Sequence, residues 1–217
     1  VHQIQPFPRE QIALRLAARA GIATPEHELI EVAGKPVMLS RRFDRDGEIR
    51  IPFLSAMAMM GGKDGERGSY PEMVDALTQH GAQAKQDTHA LYRRVVFNVL
   101  ISNVDDHLRN HGFLWLGKAG WSLSPAYDLN PVPTDLKARV LTTNIDLEEG
   151  TCSLDLLLAA SAYFALTLGE ARAIVKDVAS VTATWRVVAQ EAGARPAEIN
   201  RMSSAFEHDD LRRALAL

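Results

Sequence analysis

The stretch NVDDHLRN (residues 103–110) stands one residue after the apolar run VVFNVLI (95–101) and contains two acids, a histidine, an arginine and two asparagines. Apolar residues recur at helical spacing before it, which predicts one long helix with a buried face over residues 85–103. Loops held by a rigid core element are where catalytic and binding residues concentrate. The charged groups at the end of this helix are therefore the first candidates for chemistry.

Asp105 and Asn110 have the spacing D-x-x-x-x-N that protein kinases use in their catalytic loop. There the Asp accepts the proton of the substrate hydroxyl and the Asn holds Mg²⁺. A second acid, Asp128 in SPAYDL (124–129), stands eighteen positions after Asn110 and beyond a hairpin predicted over residues 111–129. The oxygens of Asp128 and Asn110 suit Mg²⁺, which keeps several waters and shares phosphate oxygens.

Each of these residues has a plainer alternative. Asp106 could cap the end of the helix while Asp105 pairs with Arg109 at a solvated terminus. Asp128, which precedes a proline-containing turn, could serve that turn alone. Short motifs do not decide between these interpretations by themselves.

His107 and His111, four positions apart with acids nearby, raise two further alternatives, a zinc site and a metal-dependent phosphohydrolase. The two histidines flank a predicted loop, and no third histidine or cysteine stands at ligand spacing. A hydrolase with a second metal would need more acidic or histidine ligands than Asp105 and Asp128 add. Magnesium is therefore favoured over zinc.

The composition limits the other classes of function. The chain has 217 residues, a formal net charge of −3 and a pI of about 6.2, so no bulk basic field indicates nucleic-acid binding. Its one cysteine, Cys152, excludes an intramolecular disulfide framework. No apolar run approaches the ~20 residues of a membrane helix, and residues 1–10 lack the features of a signal peptide. We expect a cytoplasmic protein without membrane contact.

Hydrophobic periodicity and turn residues predict a mixed first part and a helical remainder, with a boundary near residues 52–60. The glycine- and charge-rich segment 61–70 lacks the spacing of a phosphate loop and is predicted to be a surface loop. The predicted elements are a helix over 8–20 with Pro8 in its first turn, two strands within 28–43 joined by a turn at 33–36, a helix over 71–81, and helices over 170–192 and 196–206.

NVDDHLRNHGFLWL (103–116), followed by WSLSPAYDLNPVP (121–133), resembles the C-terminal kinase region of the HipA family. Members of that family are serine/threonine kinase toxins of bacterial toxin–antitoxin modules. The resemblance extends from about residue 10 to residue 208. EQIALRLAARAGI resembles the family's αC-type helix and SRRFDR its hinge strand, while SLDLLLAASAYFAL and WRVVAQEAG resemble parts of its helical C-lobe.

The resemblance implies an α+β, protein-kinase-like fold with a helix-rich C-lobe and a small, incomplete β-containing N-lobe. Residues 1–52 would be the remnant of the N-lobe, with the αC-type helix and the hinge strands. Residues 53–217 would form the helical C-lobe with the catalytic and metal-binding loops. We therefore expect strands in the first quarter of the chain and mostly helices after it.

The resemblance also implies roles for individual residues. Asp105 would be the catalytic base, and Asn110 and Asp128 would be the Mg²⁺ ligands. Glu10 falls where the family has the glutamate of its αC helix. The second cofactor would be ATP, and the residues expected to contact it are Arg41, Phe43, His107 and Tyr127.

Two departures from the family pattern bear on activity. Arg41 stands where family members usually have a glutamate. The family's glycine-rich phosphate-covering loop and its lysine do not precede Glu10 within residues 1–217, and Lys35 lies after it. We expect that block on an upstream segment of the same protein or on a second polypeptide, and little phosphoryl transfer by residues 1–217 alone. The alternative function is a kinase-like binding module that transfers no phosphate.

The resemblance implies two kinds of partner. One is a cellular protein that is phosphorylated on serine or threonine, with growth arrest as the result. The other is a HipB-like antitoxin, a small helix-turn-helix protein that binds DNA. The charge of this chain does not indicate direct nucleic-acid contact of its own.

Overall fold

The computed structural model describes residues 9–63 and 65–217, which form nine α-helices and seven short strands. In chain order the elements are α1 (Arg9–Arg19), β1 (His27–Val32), β2 (Lys35–Ser40), β3 (Arg45–Asp46), β4 (Ile49–Arg50), β5 (Phe53–Ser55), α2 (Ala56–Met59), α3 (Tyr70–His80), α4 (Ala84–Leu100), β6 (Gly112–Trp115), β7 (Trp121–Leu123), α5 (Leu154–Ala159), α6 (Leu168–Thr182), α7 (Trp185–Glu191), α8 (Pro196–Phe206) and α9 (Asp209–Leu215). The α+β class is as predicted: all seven strands lie between His27 and Leu123, and the described elements after Leu123 are helices.

Helix α1 matches the helix predicted over residues 8–20, although Pro8 itself lies outside the described residues. Its apolar face, including the buried Ile12 and Leu16, packs on α6 and α7. Arg19 Nη2 adds an ion pair with Glu191 Oε2 at 2.6 Å. The position of α1 thus depends on the helical part of the chain, and a lobe boundary near residues 52–60 stays a prediction.

Strands β1 and β2 form an antiparallel hairpin in which Val32 lies opposite Lys35. The turn residues Ala33 and Gly34 have φ angles of 51° and 73°. Two-residue hairpin turns of this kind need positive φ, because their twist then matches that of the strands. The two strands and the turn predicted within residues 28–43 are therefore confirmed.

A three-stranded antiparallel sheet in the order β5–β6–β7 forms the second β unit. Strand β5 pairs with β6 through Phe53 opposite Leu114, and β6 and β7 are the hairpin predicted over residues 111–129. Asp87 of α4 fastens β7, since its carboxylate accepts the Ser122 hydroxyl and the Leu123 N–H, both at 3.1 Å. The hairpin is thereby held against α4, which leads into residues 103–110, referred to below as the catalytic-loop candidate.

Helix α4 is the central element of the core, and Leu91, Val95 and Leu100 are among its fully buried residues. Beyond its last turn Ser102 has a φ of 53°, a left-handed conformation that α-helix continuation does not allow. The Ser102 hydroxyl donates to the carbonyl oxygen of Ala205 in α8 at 2.8 Å. The end of α4 is thus anchored in the helical part, and the loop at residues 103–110 starts from a fixed point.

The segment after Asp128 is fastened to the same region by Arg139. Its Nη1 forms an ion pair with Asp210 Oδ2 at 2.6 Å, and its Nη2 donates to the Val99 carbonyl at 3.0 Å. Its Nε donates to Ser102 Oγ at 3.0 Å. One guanidinium therefore joins the long loop after the candidate metal ligand to α4 and α9.

The prediction of one helix over residues 170–192 is wrong, because α6 ends at Thr182 and α7 begins at Trp185. Thr184 explains the break: both its backbone N–H and its hydroxyl bond to the Val181 carbonyl, at 2.9 and 2.7 Å. Threonine side chains compete with helical hydrogen bonds in this way. The change of direction lets Trp185 stack on Phe206 of α8 with ring centroids 4.5 Å apart.

Among residues 9–63 and 65–217, no helix combines the length and the apolar character that a bilayer crossing requires.

Candidate active site

The two adjacent acids of the catalytic-loop candidate point to different environments. The side chain of Asp105 is 64% exposed and lies 3.4 Å from Lys137 Nζ. Hydrogen bonds within the loop hold the backbone of Asp105 in place: its carbonyl accepts the His107 N–H at 3.0 Å and the Asn110 Nδ2 at 3.3 Å. An exposed carboxylate on a backbone held in this way is suited to meet an incoming hydroxyl.

The side chain of Asp106 is only 2% exposed. Its Oδ2 accepts hydrogen bonds from the Tyr70 hydroxyl and from His111 Nε2, the latter at 2.9 Å. Its carbonyl accepts the N–H and the hydroxyl of Thr143 at 3.1 and 2.7 Å. The alternative in which Asp106 serves as a solvated helix cap is therefore wrong, and of the two acids Asp105 alone is accessible as a base.

A buried arginine compensates the charge of Asp106. Arg94 of α4 is 3% exposed and donates from Nη2 to the Ser124 carbonyl at 2.7 Å. Burial lowers its pKa, while the nearby Asp106 charge opposes that shift. Burial, reinforced by the Asp106 charge, raises the pKa of Tyr70 well above its usual value. Tyr70 therefore remains a hydrogen-bond donor to Asp106 at any physiological pH.

The Asp128 loop lies against the catalytic-loop candidate. The Tyr127 hydroxyl donates to the Arg109 carbonyl at 2.6 Å. Asp128 has a φ of 56°, and its N–H donates to Glu10 Oε1 at 3.1 Å. Burial, with the Asp128 charge as a smaller cause, raises the pKa of Glu10. The residues before Asn110 and Asp128 are thus in contact, which supports a site shared by the two loops.

A cavity of about 440 Å³ brings together three of the four residues predicted to contact the nucleotide, namely Arg41, Phe43 and Tyr127. Aromatic rings form much of its wall, with centroids of Phe43 and Tyr127 5.7 Å apart and of Phe43 and Phe53 6.1 Å apart. Burial raises the pKa of Tyr127 to about 12, so its hydroxyl stays protonated. The predicted fourth residue, His107, is not among those that line this cavity.

The RFDR motif is ordered by an ion pair within it. Arg42 donates to both carboxylate oxygens of Asp44, from Nε at 2.8 Å and from Nη2 at 2.7 Å. Arg45 Nη1 donates to the same carboxylate at 2.7 Å. The hydrogen bond from Arg42 is the main reason why the pKa of Asp44 falls to about 2. This charge-assisted fork fixes the turn that presents Phe43 to the cavity.

Two polar atoms near the catalytic-loop candidate are available to contact a metal ion or a nucleotide. The Asn110 amide nitrogen is engaged by Asp105, and its oxygen accepts no hydrogen bond from the described residues. The buried His107 Nδ1 has no hydrogen-bond partner within the described part of the chain. A buried polar atom without a partner, such as His107 Nδ1, is uncommon and is available for a hydrogen bond with a ligand or water.

The donor set fits Mg²⁺ better than zinc. Within residues 9–63 and 65–217, no group of three or more His, Cys, Asp and Glu side chains could hold a metal ion. His111 is also fully buried and bonded to Asp106, which leaves His107 without a histidine partner for zinc. Mg²⁺ needs only one or two protein oxygens when phosphates and water supply the rest. Asn110 and Asp128 match that requirement.

Several site residues were not found from the sequence. Phe53 and Arg109 line the cavity, Tyr70 donates a hydrogen bond to Asp106, and the charge of Arg94 acts on Asp106. The spacing of the motifs gave no signal for Phe53, Tyr70 or Arg94, because each reaches the site from a different element. Arg109 stood in the motif itself but was considered only as an ion-pair partner of Asp105.

The sequence of this chain matches one family model and is similar to two curated proteins. Residues 2–185 match the family model described as HipA-like C-terminal domain. A Haemophilus influenzae protein named "Putative kinase" is 24% identical over 164 residues, which are 67% of this chain and 48% of that protein. The Sinorhizobium fredii protein "Putative kinase Y4dM" is 29% identical over 143 residues, 58% of this chain and 34% of that protein. The chain thus spans at most about half the length of these curated relatives.

Two solved structures share the fold. HipA of Shewanella oneidensis, in its complex with HipB and operator DNA, superimposes with a TM-score of 0.73 at 17% identity over 96% of this chain and 54% of that chain. The Helicobacter pylori proinflammatory kinase CtkA superimposes with a TM-score of 0.62 at 14% identity over 98% of this chain and 86% of that chain. The fold of this chain is therefore kinase-like.

Proposed function

Because the chain belongs to the family of HipA-like C-terminal domains, we propose that it is the catalytic part of an ATP-dependent protein serine/threonine kinase. The observation that carries the proposal is the exposed Asp105 carboxylate on a backbone closed by Asn110, in contact with the loop of Asp128. In this proposal Asp105 accepts the proton of a serine or threonine hydroxyl. Asn110 and Asp128 hold Mg²⁺ by their oxygens.

Positioning and charge neutralisation account for most of the catalysis of phosphoryl transfer. When bound, Mg²⁺ would neutralise charge on the phosphate oxygens of ATP. Phe43 and Tyr127 would contact the nucleotide base, with Arg41 at the edge of the same cavity. His107, outside the lining of that cavity, would contact the nucleotide nearer to its phosphates through the unpaired Nδ1.

The partners and the compartment belong to the same proposal. The acceptor would be a cellular protein whose phosphorylation arrests growth, and a HipB-like protein would bind the kinase as its antitoxin. The S. oneidensis HipA structure, which contains HipB and operator DNA, supports this assignment of a partner. A cytoplasmic location follows from the same assignment, because the substrate and the antitoxin would be cytoplasmic.

A phosphate-transfer assay tests the proposal. The full-length product of the coding sequence and the chain of residues 1–217 would each be incubated with Mg²⁺, radiolabelled ATP and cell extract as a source of acceptor. We expect label on serine or threonine with the full-length protein, and little with residues 1–217. The glycine-rich loop and lysine that cradle the phosphates do not precede Glu10 within these residues.

A second measurement distinguishes the alternative. A full-length protein that binds ATP analogues or a partner protein but labels no acceptor, and not itself, would contradict the kinase and favour the binding module. Label on a residue other than serine or threonine would contradict the specificity alone.

A further inference from the structure

Asn103 lies fully buried between the two loops that carry the candidate catalytic groups. Its Nδ2 donates to Asn98 Oδ1 of α4 at 3.1 Å, and its Oδ1 accepts the backbone N–H of Asn130 at 3.0 Å. One side chain therefore bonds the helix that supports the catalytic loop to the segment that follows Asp128. Asparagine suits this position because its short planar amide offers both a donor and an acceptor.

Asn130 continues the connection to the candidate metal ligand. Its Nδ2 donates to Asp128 Oδ1 at 2.6 Å. Asp128 has a φ of 56°, which is unfavourable for a residue with a Cβ and persists where the surroundings enforce it. Glu10 Oε1, which accepts the Asp128 N–H at 3.1 Å, holds its backbone from the other side. Glu10 thus fixes the backbone of Asp128, and Asn130 fixes its carboxylate.

The other end of the connection reaches the catalytic loop. Asn98 Nδ2 donates to the Tyr70 hydroxyl at 3.2 Å, and that hydroxyl donates to the carboxylate of Asp106, the neighbour of Asp105. A line of hydrogen bonds therefore runs through the interior from the residue beside the candidate base to the candidate metal ligand Asp128. Buried networks of this kind rigidify the groups they connect when their members are satisfied.

We propose that Asn103 and Asn130 are positioning residues that aim the Asp128 carboxylate at the metal site without touching metal or substrate themselves. The inference rests on the proposed function and adds two residues to it. Groups that orient a metal ligand in this way contribute about 10–100-fold to metal affinity. Asn103 holds the backbone N–H of Asn130, and the Asn130 side chain in turn holds the Asp128 carboxylate. The effect of Asn103 on that carboxylate should therefore disappear once the Asn130 side chain is removed.

Metal binding provides a test that does not depend on turnover. Mn²⁺ would be titrated into the full-length protein with the non-hydrolysable ATP analogue AMP-PNP, and free Mn²⁺ read by electron paramagnetic resonance. We expect Asn130→Ala and Asn103→Ala to bind Mn²⁺ about tenfold more weakly or worse, with unchanged metal-free AMP-PNP binding. The double variant should bind Mn²⁺ no more weakly than Asn130→Ala. Val178→Ala, in the buried core of α6, is the control for lost stability and should bind like the wild type.

The outcomes separate the inference from the proposed function. Mn²⁺ affinity of Asn130→Ala equal to that of the wild type would overturn the positioning role and leave the kinase proposal intact. If the double variant loses Mn²⁺ affinity by the product of the two single losses, the two residues act independently, since independent effects add in free energy. That result would overturn the proposed action of Asn103 through Asn130. A wild type that binds no Mn²⁺ would remove the metal site itself and the inference with it. If Asn103→Ala does not fold, Asn130→Ala, whose residue is partly exposed, decides.

Discussion

The carboxylates of Asp105 and Asp106 belong to consecutive residues, yet the first is 64% exposed and the second 2% exposed. Lys137 Nζ lies 3.4 Å from the exposed carboxylate, whereas the buried one accepts hydrogen bonds from Tyr70 and His111. Two acids that look equivalent in the sequence therefore serve different purposes. Substituting them should separate activity from stability.

We predict that Asp105→Asn in the full-length protein lowers the rate of phosphoryl transfer by about 10²–10⁴-fold, the usual contribution of a general base. The free energy of unfolding should change by less than about 1 kcal/mol, because the exposed ion pair with Lys137 contributes little. Labelled-ATP transfer and urea denaturation measure the two quantities. Robust transfer by Asp105→Asn would refute its assignment as the base.

We predict that Asp106→Ala destabilises the chain by about 3 kcal/mol or more, because each buried donor that loses its acceptor costs about 1–3 kcal/mol. The Tyr70 hydroxyl and His111 Nε2 would lose their acceptor, and the buried Arg94 would lose the largest of the nearby charges that favour its ionised form. Urea denaturation of wild type and variant gives the difference. Asp105→Ala is the matched control, and equal stability of the two alanine variants would contradict the burial argument.

Local patterns were sufficient to predict the β1–β2 hairpin, the β6–β7 hairpin and the long core helix. Each depends on residues close in the chain: positive φ at Ala33 and Gly34, the turn between β6 and β7, and the apolar spacing of α4. The break at Thr184 was missed for the opposite reason. A threonine in a helical pattern does not show whether its hydroxyl will take the carbonyl of Val181.

The candidate site was predictable only as a set of motifs. Asp105, Asn110 and Asp128 stand in recognisable segments, but which of two adjacent acids is exposed depends on Tyr70, thirty-six positions away from Asp106. Nothing near position 106 in the sequence indicates that partner. Long-range contacts of this kind determine burial, and burial here decides which acid can act.

The aromatic cavity gives a third prediction. Phe43→Ala should weaken binding of AMP-PNP to the full-length protein by about tenfold, because stacking of a base on an aromatic ring is worth about 1–3 kcal/mol. Fluorescence titration or calorimetry measures the affinity. Tyr163→Ala removes an exposed aromatic ring far along the chain in the helical part and is the control. Equal affinities of these two variants would argue against a nucleotide in this cavity.

His208 links α9 to the end of α4 in its neutral form. Its Nε2 lies 3.0 Å from the Leu100 carbonyl, and its Nδ1 accepts the Leu211 N–H at 3.3 Å as the cap of α9. A proton on Nδ1 would remove that acceptor and place a second positive charge beside Arg139, whose Nη2 lies 3.3 Å from Nε2. Burial first, and then Arg139, lower the pKa of His208 to about 4, against the opposing effects of the Leu100 carbonyl and of Asp210.

The fourth prediction follows from that lowered pKa. Between about pH 6.5, the usual histidine pKa, and about pH 4, the unfolded chain binds a proton at His208 that the folded chain does not. The stabilisation from neutral His208 is therefore fully present above pH 6.5 and is lost as the pH falls, by about 3 kcal/mol over the window. Urea denaturation at several pH values measures this loss of unfolding free energy.

His208→Asn is the matched variant, because asparagine can still cap α9 but does not titrate. The difference in unfolding free energy between wild type and His208→Asn isolates this residue from the carboxylates that titrate nearby. A difference that stays constant from pH 7 to pH 4 would contradict the prediction.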